Sequence, residues 1–320
     1  MRNYFKGTLV AAVAVVGMAA PALAEFPETT IRMIVPWKAG GGTDSIARGL
    51  QPAWEAASGQ SLIIDNISGA GTVAGTIQML ESKPDGYTVL MNGSTDVVAP
   101  LTFKSDLPYG LENMKFVGGF FYSPTWVISH SDRGYTDLND LLAKAGEDAI
   151  TIGVAGSAGA QMVMAASIKA NTDGNVTLVP YSGGADLKKA VLGNQVDAGV
   201  IHAPVLLGDA KGGIIDVLGA GGPLSSLTWE PAQDKPTLKD VGIDVEVGVT
   251  RGVFVPQDTP DEVVAKLEAI LEEAAKSEHF SEFGQKFGFA PTWVPADAFK
   301  TQVMGELEAF RKIKANYIDN

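Results

Sequence analysis

The stretch VPWKAGGGTDSIARGL (35–50) decides how the chain is read. It overlaps the end of an apolar, β-branched run, IRMIV (31–35), and its second half has helical spacing. Strand, glycine loop and helix start form a layout that holds anions on backbone N–H groups. The dinucleotide fingerprint fails here, because its third glycine would stand at Ser45. The phosphate P-loop fails too, since Gly42 leads into Thr43-Asp44 instead of lysine and a hydroxyl residue. What remains is a bare backbone, Ala39, Gly40, Gly41 and Gly42 followed by Thr43 and Asp44, able to approach a small ligand beside Trp37. Asp44 at a helix start can cap. The glycines alone fit a plain tight turn equally well.

Outward from this loop, β-rich runs recur at SLIID (61–65), YTVLM (87–91), ITIGV (150–154) and VTLVP (176–180). They continue at DAGVI (197–201), IIDVLG (214–219) and VGVTRGVFVP (247–256). Segments of helical length with apolar three- and four-residue spacing lie between several of them. The alternation predicts parallel sheets with helices on their faces. It runs to about residue 125 and restarts near 150, so two α/β units are expected. Domain 1 takes residues 25–125 plus 253–320, and domain 2 takes 126–252. Linkers are expected near Tyr122–Trp126 and Asp244–Gly252. Two amphipathic helices close the chain. The first starts with a capping box at Thr259-Pro260-Asp261-Glu262 and buries Val263, Val264, Leu267, Ile270, Leu271 and Ala274. The second follows Pro295, with Phe299, Val303, Leu307 and Phe310 on one face.

Residues 1–24 are expected to be a secretory signal peptide. Arg2 and Lys6 give a basic start, TLVAAVAVVGMAA is apolar but well short of the ~20 residues of a membrane span, and Ala22-Leu23-Ala24 fits a cleavage site after Ala24. The chain contains no cysteine, so it offers no disulfide framework and no thiol for lipidation. A soluble exported protein is expected, periplasmic where an outer membrane exists. The net charge of −13 argues against nucleic acid and anionic membranes. A recessed site made of backbone N–H groups sets its own local potential, so a small anion stays open.

Two more glycine stretches precede helices. Ser68-Gly69-Ala70-Gly71 is read as letting its loop pass close to the first, and Gly153 to Gly159 follows the strand ITIGV. One strand–glycine–helix loop per unit would face the other across a cleft, at the carboxyl ends of the strands. Enzyme motifs are poorly supplied. Gly156-Ser157-Ala158-Gly159 misses the nucleophile elbow, because Ala155 stands where its first glycine belongs. His130, His202 and His279 come with neither a zinc motif nor a cysteine ligand, so no metal and no cofactor is expected. A secreted serine hydrolase using Ser157 and His202 is the competing reading.

Several motifs in order resemble the Bug family, the periplasmic receptors of tripartite tricarboxylate transporters. They are Val35-Pro36-Trp37 with Gly40-Gly41-Gly42-Thr43-Asp44 and Ala47-Arg48, then Asn66 with Gly69-Ala70-Gly71, and Pro84-Asp85-Gly86-Tyr87-Thr88. Val179-Pro180-Tyr181-Ser182-Gly183-Gly184, Pro236-Thr237-Leu238 and Arg251-Gly252-Val253-Phe254-Val255-Pro256 with Thr259-Pro260 follow. The resemblance implies a two-domain α/β clamshell that is not an enzyme. A ligand carboxylate would be pinched between the 37–44 and 154–161 loops, partly through ordered water, and handed to the membrane permease. A di- or tricarboxylate is the expected ligand, held by a monomer.

The resemblance implies ligand contacts from the first loop and Ser94, from Gly156, Ser157, Ala158, Gly159 and Gln161, and from Tyr181 and Gly184. The chain departs from the family pattern at Lys38, where proline is common, and at Gly159-Ala160-Gln161, where hydroxyl residues and histidine are frequent. His202 stands where amine-binding members carry an acid, so a ligand without an ammonium is expected. Arg251, in a glycine-rich β segment at the domain crossing, is expected to read a second anionic group bidentately.

Overall fold

The computed structural model describes residues 26–317 apart from 157–158, 173–174, 203–206, 223, 225–231 and 233. The expected signal peptide therefore lies outside the described residues. All eight sequence-read runs form strands within a residue or two: β1 (Ile31–Val35), β2 (Leu62–Asn66), β3 (Thr88–Gly93), β5 (Ile150–Ala155), β6 (Val176–Tyr181), β7 (Ala198–His202), β8 (Ile215–Ala220) and β9 (Gly248–Pro256). Two more complete the set, the long β4 (Met114–His130) and the short β10 (Val294–Pro295).

The helices are α1 (Gly42–Ser58), α2 (Val73–Leu80), α3 (Ser94–Phe103), α4 (Leu138–Glu147), α5 (Ala160–Ala170), α6 (Gly184–Leu192) and α7 (Leu207–Lys211). Near the C-terminus come α8 (Asp261–Lys276), α9 (Glu278–Phe287) and α10 (Ala296–Tyr317). No helix among the described residues is long and apolar enough to cross a membrane.

The strand order is β2-β1-β3-β9-β4-β7-β5-β6, with β8 and β10 also paired to β4. Pairing is parallel in β2-β1-β3 and in β6-β5-β7, each set joined by helical crossovers. Through β3-β9-β4-β7 it is antiparallel. The first half of β4 lies against β9, from Met114 opposite Pro256 to Pro124 opposite Gly248, and its second half lies against β7 and β8. The chain therefore passes between its two lobes inside paired strands, and the expected linker at 122–126 is strand. Gly118 and Gly119 sit at register shifts that the strand takes up as bulges, while Pro124 pairs in regular register with Gly248 at the end of the β9 pairing.

Two corrections concern the C-terminal helices. Pro260 is the N-cap residue of α8, and no side chain caps that helix. Thr259 is fully buried with its hydroxyl unbonded, so the expected capping box does not form. The apolar stripe is present, with Leu267, Ile270, Leu271 and Ala274 buried and Val263 and Val264 half-covered. A further helix, α9, stands between the two that were expected. One core packs Ile31, Met33, Trp54, Phe120 and Phe121 beneath α1, α8 and α9. A second runs from Leu90, Phe254 and Phe299 into Ile152, Val163 and Val200, joining the lobes through apolar contact.

Candidate functional site

The glycine loop is held by its own neighbours. Asp44 is buried, and its carboxylate accepts the Gly40 N–H at 2.8 Å and Arg48 Nε at 3.1 Å. Asn66 Nδ2 donates to the Trp37 carbonyl at 3.0 Å, and Arg48 Nη2 donates to Asn66 Oδ1 at 3.3 Å. Burial alone would push the Asp44 carboxyl up, but the hydrogen bonds from Arg48 and Gly40 outweigh it and hold it below the ordinary carboxylate value. Its charge is thus spent inside the loop. The Gly42 and Thr43 N–H groups lie in the first turn of α1, where a helix has no internal acceptor for them.

Beside this loop opens a cleft of about 600 Å³, open solvent at its mouth included. Trp37, Lys38, Gly41, Gly42, Thr43 and Asp96 line one side. Ala155, Gln161, Ser182, Gly183, Gly184, Ala185, Asp186, Ile201 and His202 line the other, with Arg251 of β9 between them. The first turns of α1, α3, α5 and α6 all reach this space, through Thr43, Asp96, Gln161 and Ala185 respectively. Each helix N-terminus carries roughly half a positive charge.

Of the residues singled out from sequence, Trp37, Gly41, Gly42, Thr43, Gln161, Gly184, His202 and Arg251 share the cleft wall. Ala39 and Gly40 are exposed, Gly40 at φ +79°, and Asp44 faces back into its loop. Ser94 is fully buried, its hydroxyl accepting the Thr250 N–H at 3.1 Å, and it is absent from the wall. Gly156 and Tyr181 line an adjoining groove with Trp37, Ser68 and Gly69. Gly159 caps α5 beside the cleft, while Ser157 and Ala158 lie outside the described residues.

Arg251 forms an ion pair through Nη1 with Asp96 Oδ2, and both side chains are almost wholly buried. Gly93 makes the room: a Cβ there would stand 2.3 Å from Arg251 Nη1 and 2.5 Å from Asp96 Oδ2. His202 closes the same corner. Its burial, and secondarily the Arg251 charge, push it down to about 3, while Asp96 and the Pro124 carbonyl pull the other way and lose. It is a neutral imidazole at physiological pH. At the mouth, Lys38 Nζ donates to Ser182 Oγ at 3.1 Å and lies 3.7 Å from the Asp186 carboxylate, so the first loop touches α6 across the cleft.

Asp96 was missed from sequence. The resemblance pointed to Ser94 in the same turn, and an acid two residues on looks like any first-turn carboxylate.

The arrangement can hold an anion on oriented N–H groups, and known proteins carry the same architecture. The protein BugT of Bordetella pertussis is 27% identical over 304 residues, covering 92% of this chain and 92% of that one. The structure of the periplasmic binding protein BugD superposes with a TM-score of 0.82 at 25% identity, over 91% of this chain and 98% of that one. Rpa4515 of R. palustris, solved with adipate, reaches 0.83 at 21% identity, over 91% and 98%, and shares the fold. The two lobes with their cleft are those of a periplasmic binding protein. The model of the tripartite tricarboxylate transporter family receptor, TctC, matches residues 46–314, and the chain belongs to that family.

Proposed function

We propose that this protein is an extracytoplasmic solute receptor that captures a small organic carboxylate in the cleft and delivers it to a tripartite tricarboxylate-type permease. It would work in the periplasm, as a monomer, after loss of residues 1–24. The lobes would be 25–125 with 253–320 and 126–252, divided within β4 and β9. The observation that carries this reading is a charge balance. The cleft's charged side chains, Lys38, Arg251, Asp96 and Asp186, cancel one another. What is left is the four helix N-termini, together worth roughly two positive charges. That supports a ligand with two carboxylates over one with three, narrowing the di- or tricarboxylate expected from sequence. Nothing need be done to the ligand beyond capture. Closure on it is stabilised by contacts made only in the closed state.

The hydrolase reading gains no support from His202. An imidazole that releases its proton at about pH 3 is a poor base for a serine hydroxyl at neutral pH.

A thermal-shift screen over mono-, di- and tricarboxylates tests the proposal. A ligand at 100 times its Kd should add about 2.7 kcal/mol to stability. Gly41→Val should weaken every ligand in common, because its side chain would stand where the loop backbone must approach. Its Cβ would stand 3.2 Å from the Lys38 carbonyl, a tight contact, so the variant's melting temperature without ligand is measured alongside binding. No shift with any carboxylate would refute the receptor reading, and ester turnover abolished by Ser157→Ala would replace it.

A further inference from the structure

The inner end of the cleft holds polar atoms that the protein itself leaves unbonded. Among the described residues nothing bonds Asp96 Oδ1, Gln161 Oε1 or Arg251 Nε. Asp96 is 3% exposed and Gln161 5%, so water does not reach them freely. Buried acceptors in this state are costly unless something pairs with them. The two oxygens also converge. A Cβ built on Gly159 would lie 3.2 Å from Gln161 Oε1 and 3.4 Å from Asp96 Oδ1. Gly159 has φ +107°, a conformation that side-chain-bearing residues rarely adopt, so residue 159 puts no side chain between the oxygens.

We propose that Asp96 and Gln161 read a hydrogen-bond donor on the ligand, a hydroxyl or an ammonium set beside a carboxylate, in the space next to Gly159. The inference rests on the carboxylate-receptor reading above and names the class of acid that site selects.

The alternatives fit the chemistry less well. A plain methylene at this point leaves both acceptors dry and unpaired. A carboxylate would meet the Asp96 oxygen as a like charge, and the Arg251 charge that would attract it is already spent on Asp96 Oδ2. A donor satisfies the oxygens directly. Arg251 Nε, on the guanidinium that pairs with Asp96, has no partner among the described residues and can give a hydrogen bond to the ligand's own oxygen. The expectation of a ligand without an ammonium was argued from His202 alone; Asp96 supplies the carboxylate that a neutral histidine does not. The hydroxyl and the ammonium then differ in one respect. A hydroxyl both donates to Asp96 or Gln161 and accepts from Arg251 Nε, whereas an ammonium only donates and stands near a guanidinium.

Calorimetry with two matched trios tests the proposal: succinate, malate and aspartate, then glutarate, 2-hydroxyglutarate and glutamate. In at least one trio the hydroxy or amino acid should bind at least about tenfold tighter than its parent, as one charge-assisted hydrogen bond gives. Malate or 2-hydroxyglutarate in front identifies the donor as a hydroxyl; aspartate or glutamate in front identifies it as an ammonium. Gln161→Met, close in shape but without the acceptor, should shrink that ratio severalfold. Asp96→Asn would do the same, but it breaks a buried ion pair, so the Gln161 variant keeps the test independent of folding. Parents that bind as tightly as their substituted partners in both trios, or a ratio untouched by Gln161→Met, overturn the inference while leaving the receptor reading standing. Failure of every carboxylate to bind the wild-type protein strikes the receptor reading itself.

Discussion

Arg251 and Asp96, at the inner end of the cleft, have side chains 3% and 2% exposed, whereas Lys38 and Asp186, at its mouth, are 63% and 42% exposed. Both are cation–carboxylate pairs, yet physics assigns them different work. The inner pair has lost its hydration and persists only because each charge answers the other. The outer pair is solvated, screened by salt, and worth little in the folded state. Its value lies in its position, since Lys38 belongs to the loop after β1 and Asp186 to the first turn of α6. One pair holds the site's shape, and the other bridges the two sides of the cleft at its mouth. Counting the two as equal salt bridges would misjudge both.

The largest effect should come from breaking the inner pair. Arg251→Met strands Asp96 as a buried, unpaired carboxylate, a change that typically costs about 3–5 kcal/mol. Urea unfolding should register it as a large drop in midpoint. The double variant Arg251→Met with Asp96→Asn should recover most of that loss, because no uncompensated charge remains. If the double variant is as unstable as the single one, packing and not charge is what the pair supplies.

The inner pair also has a titratable neighbour that the mouth lacks. Glu306 of α10 is partly buried, with one carboxyl oxygen screened from solvent and unbonded, and Gln302 donates to the other at 2.8 Å. Burial, and to a lesser degree the Asp96 charge, raise it to about 7 from an ordinary 4.5, against hydrogen bonds from Gln302 and Ser94. The native state thus keeps a proton that the unfolded chain has already released. Stability from this group is full below about pH 4.5 and is lost as pH rises through 7. Glu306→Gln should therefore stabilise the protein at pH 8 by about 3 kcal/mol, from a difference of about 2.5 pH units at 1.36 kcal/mol each. The gain should vanish by pH 4.5. Melting curves of both proteins across this range check it, and a gain independent of pH would mean that the carboxylate's charge is not the cause.

Lys38→Ala should have the smallest effect on stability, under about 1 kcal/mol. Ligand release, followed by stopped-flow fluorescence, should nonetheless become faster, and roughly 0.5 M salt should make the wild type resemble the variant. Unchanged release would mean that the contact at the mouth plays no part in closure.

Much of this architecture is legible in the sequence because short β-branched runs between helical segments leave few alternatives. The run 31–35 became β1 residue for residue, and the glycine loop led into a helix at Gly42. β4 was illegible for a local reason: its glycines and proline look like interruptions, and only a partner strand far along the chain holds them in a strand, the glycines at bulges and Pro124 opposite Gly248. The candidate site divides in the same way. Backbone donors follow from glycine spacing, so Gly41, Gly42 and Thr43 were read directly. Asp96 depends on which face α3 turns toward β9, and that is fixed by tertiary packing alone. Thr259 failed as a cap for a related reason, its hydroxyl being packed away where the helix start cannot use it.

The strands that carry the chain between lobes also set the order in which it can be assembled. β3 finds its neighbour in β9, and Ser94 meets Thr250 across 156 residues of sequence. Until residue 256 is available, β3 has an open edge, and Phe120 and Phe121 have nothing from α8 or α9 to cover them. A chain emerging from its N-terminus cannot finish its first lobe first. It must wait for nearly its whole length, so its folding is governed by contacts of high sequence separation and is expected to be slow.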